Sequence, residues 1–217
     1  MLSIYNNTFK NEYTVIKHNY YQILLIIFML AFAIQAKAVS VVSASPTAQL
    51  RTTVDAILDI LRDKTLGVET RRDKIRTLVN QRFYFRAMSQ RTLGRNWKKA
   101  STEQQNKFVT LFSDLLGKTY LGRIEAYTDE RVEYLREKNK NPKRAVVYTQ
   151  IVTKSADIPI NYKLAKKGDQ WLIYDVIIEE VSLISNYRSS YAEIIKKDGI
   201  DSLLEKIKEK LKTADAS

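Results

Sequence analysis

The sequence predicts an α+β domain: N-terminal helices, then a curved antiparallel sheet of about four strands, then C-terminal helices. Three observations carry this. Apolar residues recur at helical spacing from Leu50 to Tyr120, fall into strand-like runs between Arg131 and Val181, and return to helical spacing after Asn186. The pieces between the strand-like runs are short and rich in turn residues, so consecutive strands should pair antiparallel. A curved sheet wrapped by helices in this way can enclose an apolar pocket.

The first helix is predicted to start at Ser45-Pro46, where Ser suits the N-cap and Pro the first turn, with Leu50, Val54, Ile57, Leu58 and Leu61 as its stripe. Gly67 ends it. Thr70 with Asp73 resembles a capping arrangement for a second helix carrying Ile75, Leu78 and Val79, and a third runs from Phe85 to Thr92 and stops at Gly94. Ser101 and Gln104 form a capping box for the fourth, whose broad apolar face holds Phe108, Leu111, Phe112, Leu115, Leu116, Thr119 and Tyr120. That width implies burial against more than one layer.

Strand-like runs cover Arg131 to Arg136, Arg144 to Thr153, Ile158 to Ala165 and Trp171 to Val181. Their separators are Asn139-Lys140-Asn141-Pro142, Ser155-Ala156-Asp157 and Lys166-Lys167-Gly168-Asp169. Ile158, Ile160, Tyr162 and Leu164 alternate with Pro159, Asn161, Lys163 and Ala165, which marks one buried face. The last run is apolar on both faces, so periodicity alone does not say which looks inward. Two helices finish the chain, one from Asn186 to Lys197 and one capped by Asp201, with Gly199 between them.

Ahead of the domain, Lys10 and Lys17 precede an uncharged apolar run from Ile23 to Ile34, followed by Ala36-Lys37-Ala38. This reads as an export signal cleaved after Ala38, leaving 39–217 as a single domain, because the run is shorter than the ~20 residues a spanning helix needs. An uncleaved membrane anchor is the alternative. Loss of Lys10, Lys17, Lys37 and Glu12 takes the formal charge from +12 to +10, so the mature chain stays basic and suits anionic lipid surfaces or acidic partners.

The chain has no Cys, and its single histidine, His18, lies in the leader. The mature chain therefore lacks the groups for Ser-His-Asp or Cys-His catalysis and for the usual zinc sites, and no carboxylate pair stands in a catalytic register. No catalytic residue, metal or cofactor is expected.

Four stretches, spanning most of the mature chain, together resemble the MlaC family of phospholipid-binding proteins, also known as toluene-tolerance auxiliary proteins. They are Phe83-Tyr84-Phe85-Arg86-Ala87-Met88 with Leu93-Gly94 and Trp97; Ala100-Ser101 with Gln104-Gln105 and the helix through Tyr120; Trp171-Leu172-Ile173-Tyr174-Asp175-Val176; and Glu179 with Val181-Ser182-Leu183, Asn186-Tyr187-Arg188, Gly199 and Leu203-Leu204. One departure is visible: the family often has Gly where this chain has Glu180, ahead of Val-Ser-Leu.

The resemblance implies a non-catalytic periplasmic carrier that maintains outer-membrane lipid asymmetry. It would exchange phospholipid with an outer-membrane lipoprotein complex and an inner-membrane ABC transporter, touching membranes transiently and binding no nucleic acid. The physics is demanding. Each acyl CH₂ left in water costs about 0.8 kcal/mol, so two chains cost on the order of tens of kcal/mol unless enclosed, while the charged head group belongs at the mouth. The expected pocket wall is Phe112, Leu115, Tyr120, Val147, Ile151, Ile160, Tyr162, Leu164, Trp171, Ile173 and Ile177. The expected docking cluster is Arg86, Arg91, Arg95, Lys98 and Lys99, the densest basic group outside the termini.

Three rival readings remain. A sheet-cone enzyme would use Asp175 as a buried general base, although its place in the family pattern favours a structural hydrogen-bonding role. A nucleic-acid binder would use the aromatic and basic stretch from Arg82 to Arg86. A carrier of another lipid, hopanoid or sterol-like, would keep the pocket and change its contents.

Overall fold

The computed structural model describes residues 44–125, 131–154 and 156–213. The predicted export signal, and Ser155 of the second strand separator, lie outside the described residues. The architecture is the expected α+β order. Helices α1 (Pro46–Arg62), α2 (Val68–Arg82) and α3 (Phe85–Leu93), a 3₁₀ turn (Gly94–Lys98) and α4 (Thr102–Glu125) come first. Strands β1 (Arg131–Asn141), β2 (Arg144–Val152), β3 (Asp157–Lys167), β4 (Gln170–Ile178) and β5 (Val181–Ser182) follow, and α5 (Leu183–Thr213) closes the chain.

Local chemistry explains most boundaries. Ser45 Oγ accepts from the Ala48 amide at 3.1 Å with Pro46 in the first turn of α1, and the Ser101–Gln104 box at α4 is reciprocal, at 3.0 and 3.1 Å. α3 ends on Gly94, whose φ of 55° is open to glycine and strained for other residues. The start of α2 differs from expectation. The helix begins at Val68 with Gly67 as an N-cap that has no side chain to offer, so Thr70 and Asp73 lie inside it. There Asp73 pairs with Arg76 at 3.1 Å, an i,i+3 contact that a capping pattern mimics in sequence. The two expected terminal helices form α5, broken at Gly199 (φ 81°, ψ 174°) and beginning three residues before Asn186.

The sheet is an antiparallel meander in the order β1-β2-β3-β4-β5. β1 reaches Asn141, so most of the expected Asn139–Pro142 separator belongs to the strand. The expected run to Val181 ends at Ile178, and the chain doubles back through Glu179 and Glu180 to pair Val181 with Ile178.

β4 carries a one-residue bulge. Lys163 pairs with Asp175 but Leu164 pairs with Ile173, leaving Tyr174 as the extra residue. The shift reverses the alternation of β4, so Trp171 and Ile173 before it share a face with Val176 and Ile178 after it.

Two apolar clusters result. One is helical, joining Met88, Leu93, Trp97, Phe108, Phe112, Leu115, Leu116, Tyr191, Leu203, Leu204 and Ile207. Phe108 stacks on Phe112 with centroids 5.3 Å apart, and Tyr187 and Tyr191 meet these rings edge-on. The broad face of α4 is thus spent on α3 and α5. The second cluster lies on one face of the sheet, where Ala145, Val147, Leu164, Trp171, Ile173 and Val176 pack with Leu50 of α1.

Glu179 and Glu180 both take positive φ, 46° and 69°, as a two-residue turn of type I′ requires. A residue with a Cβ is held there at a cost of about 1–2 kcal/mol, which exceeds the extra backbone entropy of glycine, about 0.5–1 kcal/mol. Glu180→Gly should therefore stabilise the protein by up to about 1 kcal/mol, a rise in Tm of roughly 2–4 °C, measured by thermal unfolding. A fall in Tm would show that the Glu180 side chain makes a compensating contact.

Candidate functional site

The face of the sheet under α1 runs from a dry end to a half-open one. At the dry end Ala145, Val147, Leu164 and Ile173 retain 1% exposure or less. α1 is fastened over this end by its first turns. Thr47 donates from its amide and its hydroxyl to Glu137, at 3.0 and 2.7 Å. Gln49 accepts from the Trp171 amide at 2.9 Å and donates to the Asp169 carbonyl at 2.8 Å. Arg82 completes the clamp, donating to Thr53 Oγ1, Gln49 Oε1 and the Trp171 carbonyl at 2.8–3.0 Å. These acceptors are all neutral, and burial pulls the Arg82 guanidinium below its ordinary pKa.

Towards the other end the same face carries Ile151, Ile158, Ile160, Tyr162 and Ile178, all apolar or aromatic and only half-buried. Tyr162 is informative. Desolvation pushes its phenol up to about 12, so the ring sits deep in the protein, yet it keeps accessible surface. A half-buried aromatic on a face that is dry at its other end leaves apolar surface that a ligand could cover.

Of the expected wall residues, Val147, Ile151, Ile160, Tyr162, Leu164, Trp171 and Ile173 come together on this face. The bulge places Ile177 on the opposite face, paired with Asn161. Phe112 and Leu115 are buried in the helical cluster and Tyr120 packs against it, so these three do not join the sheet face. Val54 of α1 and Tyr134 of β1 join it unexpectedly. Val54 was legible as part of a helical stripe, but its orientation towards the sheet was not. An open groove of about 650 Å³ lies between α1 and α2, lined by Ala56, Asp59, Ile60, Thr70, Asp73, Lys74, Thr77, Leu78 and Gln81, and none of the expected wall residues borders it.

The expected docking cluster divides. Arg86 donates to Asn106 at 3.1 Å and lies over the Trp97 ring, and Arg95 and Lys98 on the 3₁₀ turn and Lys99 just after it are exposed. Arg91 turns instead to the sheet, over Tyr174.

Asp175 is buried on the other side of the sheet from α1 and is fully engaged. Lys163 Nζ donates to it at 2.9 Å, Ser182 Oγ at 2.9 Å and the Ile184 amide at 3.3 Å. Ser182 in turn caps α5 through the Ser185 amide at 3.1 Å. This is the hydrogen-bonding role, with no oxygen directed at the apolar face. In the stretch from Arg82 to Arg86, Arg82 is committed to the clamp and Phe83 stacks on Phe85 at 5.8 Å, while Arg86 is exposed. Among the described residues no group of acidic or histidine side chains could hold a metal, and no helix is long and apolar enough to cross a membrane.

A family model described as "MlaC protein" matches residues 51–209, from within α1 to within α5. The chain belongs to the MlaC family. Among MlaC relatives, the intermembrane phospholipid transport system binding protein MlaC of Haemophilus influenzae is 24% identical over 124 residues, 55% of this chain and 58% of that one. Toluene tolerance protein ttg2D of Pseudomonas putida is 24% identical over 105 residues, 48% of this chain and 49% of that one. The chain thus spans about half the length of these relatives. The solved phospholipid-binding protein of Ralstonia solanacearum, in complex with a phospholipid, superposes with a TM-score of 0.72 at 25% identity, covering 79% of this chain and 99% of the other.

Two outcomes follow for this MlaC chain. Asp175→Ala strands Lys163 and leaves the Ile184 amide without its acceptor, so urea unfolding should show a loss of roughly 3–5 kcal/mol, and Asp175→Asn, which keeps an acceptor, should lose less. Tyr162 stays neutral in the fold up to about 12, while in the unfolded chain it ionises from about 10. Its contribution is therefore constant below pH 10 and is lost as pH rises towards 12, with a slope of at most about 1.4 kcal/mol per unit. Tyr162→Phe should flatten that part of the stability profile. An unchanged alkaline slope would mean the phenol is solvated.

Proposed function

We propose that this protein is a phospholipid carrier working in the periplasm, exported by residues 1–38 and shuttling lipid between an outer-membrane lipoprotein complex and an inner-membrane ABC transporter. The observation that carries the reading is the half-open apolar sheet face. Ile151, Ile158, Ile160, Tyr162 and Ile178 keep accessible surface on a face that is dry at its other end, in a fold matching 99% of a phospholipid-bound protein. Apolar surface of this kind gains about 25 cal/mol per Å² when acyl chains cover it. The head group stays at the opening, where solvent and surface charge satisfy it. Such a site reads chain volume more than head-group identity. The protein does no chemistry on its cargo: Asp175, the strongest candidate base, lies across the sheet from this face with its oxygens engaged. The exposed Arg86, Arg95, Lys98 and Lys99 would steer the carrier towards acidic partners or membrane within about a Debye length of ~10 Å.

Organic extraction of the purified protein should recover phospholipid, identified by mass spectrometry. Ile160→Asp is the better disabling variant, because Ile160 is half-buried whereas Leu164 is fully buried and a charge there would unfold the domain. Folded Ile160→Asp should lose phospholipid at least tenfold, since one buried unpaired carboxylate costs several kcal/mol of binding. Protein that is lipid-free and also fails to take up phospholipid from vesicles would rule out the carrier; recovery of a hopanoid or sterol-like lipid would redirect it.

A further inference from the structure

On the side of the sheet away from α1, the bulge residue Tyr174 is flanked by two guanidiniums. Arg91 of α3 lies 4.3 Å from the ring centroid and Arg144 of β2 lies 4.7 Å from it. The ring thus holds two positive charges close together, although they repel. Arg188 of α5, which is exposed, is anchored beside Arg91 through its Nε to the Arg91 carbonyl at 2.6 Å. Among the described residues none of these three arginines pairs with a carboxylate, whereas Lys163 nearby on the same face is matched by Asp175 at 2.9 Å. The cluster is also assembled from three separate elements, each fixed by packing, and is not a run of neighbours along one exposed helix.

We propose that Arg91 and Arg144 on the Tyr174 ring, with Arg188 anchored beside Arg91, form a docking site for an acidic peptide segment of a protein partner, seated by Asp or Glu carboxylates. This rests on the carrier reading for its biological setting, and it supplies the chemistry of the partner. The half-buried guanidiniums of Arg91 and Arg144, held on the ring, present planar forks that match carboxylates bidentately, and Arg and Tyr are both enriched among the residues that carry binding energy at protein interfaces. A membrane surface is met by broad polybasic stretches of Lys or Arg, whereas this cluster is compact and centred on one ring. The cargo head group is a poor candidate, because the apolar face lies on the opposite side of the sheet.

The test titrates fluorescein-labelled hexaglutamate into the purified protein at low salt by fluorescence anisotropy. Arg91→Gln/Arg144→Gln should weaken binding about tenfold or more, and Arg144→Lys, which keeps the charge but gives up the fork, about threefold. Lys196→Gln/Lys197→Gln removes the same net charge from an exposed stretch of α5 and should change binding by less than about twofold. An equal effect of the two double variants would reduce the site to net charge and overturn the proposal. So would a parent protein that ignores hexaglutamate but binds phosphatidylglycerol vesicles through the same arginines, which would make the cluster a membrane patch. Phospholipid occupancy, measured in parallel, should match the parent in every variant; a parent without lipid would sink the carrier reading and leave the peptide titration to be judged alone.

Discussion

A carboxylate inside an apolar strand must find enough donors to replace its water, and the junction of sheet and helices is organised around how Asp175 does so. With regular alternation Asp175 would fall on the same face as Ile173, beneath α1 and among aliphatic groups. The extra residue at Tyr174 turns it to the other side, where Lys163, Ser182 and the first amides of α5 meet it. The tight Glu179–Glu180 turn makes this possible, because it brings Ser182 back beside β4 within two residues. A single bulge therefore keeps charge off the apolar face and fixes the start of the C-terminal helix. The positive end of that helix dipole lies next to the carboxylate, which adds to the same effect.

Holding lipid requires apolar surface that is not already buried, and a stable domain requires apolar surface that is. The chain separates these demands. Phe108, Phe112, Tyr191, Leu203, Leu204 and Ile207 make a dense helical core whose packing does not involve the half-open end of the sheet. The sheet face is dry only under the Thr47, Gln49 and Arg82 contacts that hold the N-terminal end of α1. Emptying or filling the open end then leaves most of the stabilising core untouched. With no cysteine to form a disulfide, this division of apolar surface is the means of stability available to the chain.

The fold was legible because its signals are local. Ser45-Pro46, Ser101 with Gln104, Gly94 and Gly199 each act within one turn of where they stand, and each marks the boundary the structure has. The site was legible only where alternation is regular. Ile160, Tyr162 and Leu164 share a face as β3 predicts, but Ile177 does not follow Ile173, because the bulge is set by a pairing twelve residues away in β3. Phe112 and Leu115 show the other limit. An amphipathic stripe says that a helix is buried, and which neighbour buries it is a tertiary fact; α5 claims that face, so it is not available to the sheet. Glu180 is a third case, since a non-glycine residue in a left-handed turn breaks the local rule that would have announced the reversal before Val181.

The same bulge also arranges charge around the sheet. Tyr174, displaced from the ladder, gives Arg91 and Arg144 a common ring on the side away from α1, while the face under α1 gathers the aliphatic residues. Cations and acyl chains have opposite requirements of solvent, and a sheet is thick enough to let each face meet its own. In the proposed carrier that separation would let its two affinities change independently: surface charge alters encounter rates and partner choice, and pocket volume alters cargo retention. Had Asp175 stayed on the inner face, it would have stood among aliphatic groups with Lys163 across the sheet from it. The bulge turns Asp175 to the face on which the regular alternation of β3 already places Lys163.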